Sequence, residues 1–175
     1  RQMCIRDRRL QDPLAELVKI EPKAISVGQY QHDIAQKQLE EQLDFVVEKA
    51  VNNVGVDINT ASVSLLQYVA GLNSGVAKNI IKYRDENGKF TNRKEIMNVS
   101  KLGAKTYQQG IGFLRIPGAN DPFDATASHP ENYQQAKKLL KLIDADASLL
   151  GTNEIADKLS NINKEEVMNE LNLSL

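Results

Sequence analysis

Two stretches of this sequence share one design, and their repetition limits the folds open to the chain. Val69–Ile81 reads VAGLNSGVAKNII and Val99–Ile111 reads VSKLGAKTYQQGI, thirty residues apart and aligned without a gap. Each ends one short helical pattern, bends about a leucine and opens another. A bend between packed helices needs φ > 0 at one or two positions, which glycine adopts freely and asparagine tolerates. Gly71 and Asn73 flank Leu72, and Lys101 and Gly103 flank Leu102. The leucine can then enter the core while N–H groups at the start of the next helix face outward, at the positive end of its dipole. An anion, most often a phosphate, suits that geometry. The candidate contact residues are Gly71, Leu72, Asn73, Gly75 and Lys78 in the first bend, and Lys101, Gly103 and Lys105 in the second.

The pair resembles a helix-hairpin-helix motif doubled into a compact unit that grips a nucleic-acid backbone. Between the two bends, Asp85-Glu86-Asn87-Gly88-Lys89-Phe90 supplies the connecting turn. A competing reading is that one bend only packs helices. It applies most to the second, where Lys101 stands at a glycine position and bulky Tyr107 where a small residue is usual.

Charge is distributed to match. From Asp57 to Ile116 there are nine Lys/Arg against four Asp/Glu, whereas the rest of the chain has thirteen against nineteen, for a net charge of −1 overall. Positive charge concentrated on the doubled bend is the footprint expected of phosphate contact. One cysteine, Cys4, excludes an internal disulfide and a cysteine-based metal site. With two histidines and no tryptophan there is little material for metal chemistry or base stacking. No metal, cofactor or catalytic residue is expected. No apolar run approaches the roughly 18 residues of a membrane span, and no signal peptide is evident. The expectation is a soluble cytoplasmic protein.

In chain order, residues 1–8 fit no periodic pattern and read as a non-native segment. Asp12 and Pro13 start a short helix with Leu14, Leu17 and Val18 on one side. Ile25–Val27 reads as a brief extended segment, and Gly28–Asp33 as a polar turn whose His32 is structural rather than catalytic. Leu39, Leu43, Val46, Val47, Ala50, Val51 and Val54 follow the 3.6-residue period, so 34–55 is a connecting amphipathic helix ended by Gly55. Asn59 is expected to cap the first leading helix, and Asn92 with Glu95 makes a capping box for residues 93–98. Phe113–Ile116 runs extended. After Pro117 the character changes: 117–175 is a linker and C-terminal helical segment carrying −5, in which Tyr133, Ala136, Leu140 and Ile143 share a face. Further helices are expected at 153–159 and 164–171. The fold class is mainly α: a tandem helix-hairpin-helix unit at 56–116, preceded by a long amphipathic helix and followed by a small helical segment.

The doubled bend, with Asp57–Ser62 and Tyr83–Phe90, is shared in outline with ComEA-type DNA receptors. The flanks Leu10–Val18, Val27–Asp33, Phe113–Ile116 and His129-Pro130-Glu131 resemble instead the Tex family of bacterial RNA-binding transcription accessory proteins. That resemblance implies that the chain is a fragment, with 9–33 the end of an upstream RNase H-like domain and an OB-fold RNA-binding domain downstream. The residues themselves point to a module that holds RNA or DNA backbone phosphates without reading bases and meets no membrane, and the resemblance adds transcription or translation machinery as further partners. Two other functions stay open. One is a structural scaffold joining the flanking domains. The other is a DNA glycosylase, because Gly118–Asp124 is a Gly/Pro-rich loop with Asp121 and Asp124 that follows a hairpin carrying Lys105; the scarcity of stacking side chains weighs against it.

Overall fold

The computed structural model describes residues 5–25, 28, 33–161 and 167. The extended segment expected at 26–27, the turn at 29–32 with His32, and most of the helix expected at 164–171 lie outside the described residues.

The chain is mainly helical. Two short helices, α1 (Ile5–Gln11) and α2 (Pro13–Leu17), come first, so a helix covers part of the region that shows no periodicity. Asp12 caps α2 by accepting the Ala15 N–H at 3.1 Å, as its place before a proline suggests. A 3-10 turn at Pro22–Ile25 takes up Ile25, the first residue of the expected extended segment. The long helix α3 (Gln36–Val54) follows, and Gly55, at φ 78, ends it by donating its N–H to the Val51 carbonyl. The periodic pattern of α3 contains two faces. Val51 is fully buried, but Val46 and Val54 are 59% and 58% exposed, together with Phe45 at 60%.

Strand β1 (Val56–Asp57) then leads to α4 (Val63–Leu66), the first bend, α5 (Ser74–Asn87), a 3-10 turn at Arg93–Asn98, the second bend, α6 (Ala104–Gly110) and β2 (Leu114–Arg115). The two strands pair in parallel, Val56 with Leu114 and Asp57 with Arg115, and so join the start of the unit to its end. One core serves all these elements: Val51, Ile58, Leu66, Val69, Ala77, Ile80, Ile96, Ile111 and Ile116 are among its buried members. Each fully buried Leu or Ile stabilises the fold by about 1.5–3 kcal/mol relative to an exposed one.

Asn59 does not cap α4. Ser62 does, its Oγ accepting the Leu65 N–H at 3.3 Å. Asn59 instead pairs its side chain with the backbone of Phe90, donating to the carbonyl at 3.0 Å and accepting the N–H at 2.8 Å. Position before a helix is a weak guide when a buried peptide elsewhere lacks a partner.

Beyond β2 the chain forms 3-10 turns at Pro122–Ala125, Pro130–Asn132 and Ala147–Leu149, and helices α7 (Tyr133–Leu142) and α8 (Asn153–Ser160). Phe123, Leu140 and Ile155 centre a second, smaller core, against which Tyr133, Ala136 and Ile143 pack as the shared face suggests. Arg93 links the two cores. It is only 1% exposed, and its guanidinium donates to the carbonyls of Leu114, Thr126 and Ser128 and to the Tyr133 hydroxyl.

No described helix is long and apolar enough to cross a membrane.

Candidate nucleic-acid interface

The two bends have the same backbone. In the first, Leu72 donates its N–H to the Val69 carbonyl at 3.0 Å; in the second, Leu102 donates to Val99 at 3.2 Å. The residue before each leucine takes the left-handed conformation, Gly71 at φ 81 and Lys101 at φ 64. The residue after it does not: Asn73 lies at φ −106 and Gly103 at φ −76, each as the cap of the next helix. One positive φ per bend is therefore enough. Lysine supplies it in the second, at a cost of about 1–2 kcal/mol for an L side chain.

The caps differ. Asn73 Oδ1 accepts the Val76 N–H at 2.9 Å, so the first bend satisfies part of its own helix start. Gly103 has no side chain with which to do so, and among the described residues no side chain meets the N–H groups of Ala104, Lys105 or Thr106. Leu72 is buried, whereas Leu102 is partly exposed. Gly71, Asn73, Gly75, Lys78, Lys101, Gly103 and Lys105 are all exposed.

The bends brace one another through residues that the repeat itself relates. Gly71 lies against Gln109: a Cβ built on it would sit 2.9 Å from the Gln109 Cβ. Asn79, which aligns with Gln109 thirty residues earlier, donates its side-chain amide to the Ser100 carbonyl at 2.7 Å. Gly110 completes the contact, since a Cβ there would lie 3.1 Å from the Ala70 carbonyl oxygen.

Two arginines of the unit hold its backbone: Arg93 is buried, and Arg84 donates to the carbonyls of Ile58 and Ala61, both at 3.1 Å; half-buried Arg115 lies across Gly55. The exposed positive charge consists of Lys78, Lys82, Lys89, Lys94, Lys101 and Lys105. Lys82 reaches Glu86 at 3.7 Å; the other five make no ion pair among the described residues. Counting charge along the sequence thus overstates the footprint, because Arg93 is buried and Arg84 is held on two carbonyls, but all six lysines remain at the surface.

In the Gly/Pro-rich loop, Asp124 is 4% exposed. One oxygen accepts the Arg93 N–H at 2.9 Å and the other the Tyr133 hydroxyl at 2.7 Å. Burial pushes Asp121 up, but the Lys137 ammonium and the Phe123 N–H hold it below the ordinary carboxylate value. Both carboxylates are engaged in holding the loop. No cluster of three metal-ligating side chains occurs among the described residues.

A third bend of similar build was not legible in the repeat. Thr152 donates its N–H to Leu149 at 3.0 Å across Gly151, which lies at φ 85. It is one residue shorter, Thr152 serving as the helix cap, so it does not align with the other two. The signal available was a leucine and glycine ahead of a helical pattern, which single-bend reasoning cannot separate from ordinary punctuation.

These features define a helix-hairpin-helix protein, and comparison with known sequences agrees. A helix-hairpin-helix motif model matches residues 51–115, and an HHH domain model matches residues 121–175. The chain is 56% identical to the transcriptional accessory protein Tex of Neisseria gonorrhoeae, over 84% of its own length and 20% of that protein's. It is 55% identical to protein YdcI of Bacillus subtilis (strain 168), over 95% of its length and 23% of the relative's. The human S1 RNA-binding domain-containing protein 1 is 38% identical over 94% of this chain and 21% of its own length. The chain belongs to the Tex family, and it spans about a fifth of the length of these relatives.

Proposed function

We propose that this chain is a nucleic-acid-binding module of a transcription accessory protein, holding backbone phosphates through the bends at Gly71–Asn73 and Lys101–Gly103 without reading bases. The observation that carries this is the duplicated bend with its polar residues exposed beside unpaired lysines. Main-chain donors and ammonium groups hold phosphates, whereas sequence readout needs side chains at base edges. The relatives named for transcriptional accessory function and for an S1 RNA-binding domain support the same class of ligand, RNA or DNA. In this reading the protein acts beside transcription or translation machinery, in the cytoplasm.

The reading contains no catalytic step. Asp124, one of the two loop carboxylates that the glycosylase reading needs, is buried and hydrogen-bonded through both oxygens, which supports binding over chemistry. A scaffold role has a specific observation in its favour, because Arg93 ties the doubled bend to the C-terminal segment. A ComEA-like DNA-binding role would use the same bends.

Fluorescence anisotropy with labelled duplex and single-stranded oligonucleotides tests the reading. Binding that weakens steeply as salt rises supports phosphate contact. A flat signal at low salt up to high micromolar protein rejects it and leaves the scaffold.

A further inference from the structure

We infer that Asn52, on α3 and outside both bends, is the positioning residue of the first bend, so that α3 belongs to the nucleic-acid-binding unit rather than merely leading to it. The inference rests on the proposed binding function. Asn52 meets the chain on both sides of Val69, the residue whose carbonyl closes the bend. Its Nδ2 donates to the Tyr68 carbonyl at 3.2 Å and to the Glu48 carbonyl of its own helix at 2.9 Å, and its Oδ1 accepts the Ala70 N–H at 3.1 Å. One side chain thereby does what a neighbouring strand would do.

The bend needs such support. α4 has four residues, too few to hold its own exit, and Tyr68 and Val69 continue it only through single-turn bonds to Leu65 and Leu66 at 3.2 Å. Without Asn52 the Tyr68 carbonyl and the Ala70 N–H would both depend on water. On its far side the Ala70 carbonyl sits against Gly110, and Gly71 against Gln109. The Ala70–Gly71 peptide is therefore held between α3 and α6. Its pre-set geometry determines where Gly71, Asn73 and Gly75 stand when a phosphate arrives. Asn52 itself is fixed by its bond to Glu48 and by the neighbouring Val51, which is 0% exposed. The second bend is held in a comparable way by Asn79, from α5.

The test uses the whole chain, with Asn52→Ala and Asn52→Asp. Three quantities are measured: affinity for a labelled oligonucleotide, its salt dependence, and hydrogen exchange at the Ala70 amide. Losing these bonds should speed Ala70 exchange and weaken binding about five- to tenfold in Asn52→Ala, the scale of one or two hydrogen bonds. The salt slope should flatten by about one phosphate's worth. Asn52→Asp keeps the acceptor for the Ala70 N–H but sets its second oxygen against the Tyr68 and Glu48 carbonyls and adds negative charge beside the bend. Ala70 should therefore stay more protected than in Asn52→Ala while affinity falls at least as far; this variant also decides the matter if the alanine variant does not fold. Unchanged affinity and slope in a folded variant, beside a wild type that binds, overturn the role of Asn52 alone. A wild type that binds nothing overturns the binding function first.

Discussion

Tyr133 donates its hydroxyl to Asp124 at 2.7 Å while accepting from Arg93 at 2.6 Å, so one phenol joins the two charged groups that are buried between the doubled bend and the C-terminal segment. Removing any member strands the others. Arg93→Ala leaves the carbonyls of Leu114, Thr126 and Ser128 without their donor, and should cost at least about 3 kcal/mol. Tyr133→Phe should cost about 1–3 kcal/mol. Urea unfolding of both variants measures this. Nucleic-acid affinity of the folded Tyr133→Phe protein should stay within about twofold of wild type, because the network touches no exposed part of either bend and lost phosphate contacts would appear as larger changes.

The same phenol contributes to the alkaline limit of stability. Burial, followed by the Asp124 carboxylate, holds the Tyr133 hydroxyl well above its ordinary value of 10.0. A group raised on folding contributes stability that is complete below its unfolded pKa and is lost as pH rises through the folded value. Thermal melts should therefore show stability falling above about pH 10, and Tyr133→Phe should flatten that fall. An alkaline limb identical in the variant would assign it to the other raised groups, Tyr68 and Tyr107 through burial and Lys23 through Glu40 and Glu21.

The acid side has a different origin. Glu95 is held below its ordinary value of 4.5 by hydrogen bonds from the Thr91 hydroxyl first, then the Thr91 N–H and the Asn92 amide. Its contribution is present above the unfolded value and is lost as pH falls through the depressed one. Glu95→Gln should melt below wild type at neutral pH, and the gap should close below about pH 4.

Two glycine-related changes test the bend geometry. Gly110→Ala would ordinarily stabilise a helix by about 0.5–1 kcal/mol. Here the new Cβ meets the Ala70 carbonyl at 3.1 Å, and the variant should lose stability instead. Lys101→Gly relieves a left-handed lysine at φ 64. It should raise stability by about 0.5–1 kcal/mol after the added freedom of the unfolded chain is subtracted. Binding should still weaken, because an exposed charge is lost. Chemical denaturation and anisotropy separate the two effects.

What the sequence made legible was local. The spacing of Gly71–Leu72–Asn73 and Lys101–Leu102–Gly103 marks the bends through their repetition in register, but does not show that lysine supplies the left-handed residue of the second or that Leu102 stays partly exposed. The stop at Gly55 and the shared face of α7 are of the same kind. Long-range polar pairing was not legible. Arg93 looks like any lysine or arginine in a charge count, and nothing along the chain says that its partners lie 21 to 40 residues away. Asn59 misled for the same reason: its preference for helix starts is real, but the unpaired Phe90 peptide 31 residues on had the stronger claim. Asn52 and Asn79 sit inside helices, where asparagine carries no motif, and only the folded geometry shows which peptides they hold.

Amide NMR during titration with a short oligonucleotide reads, residue by residue, whether the two bends receive nucleic-acid backbone. Gly71–Val76 and Lys101–Thr106 should shift most and shift together, and the changes should reverse with added salt. Shifts confined to α7 and α8, with both bends silent, would contradict it.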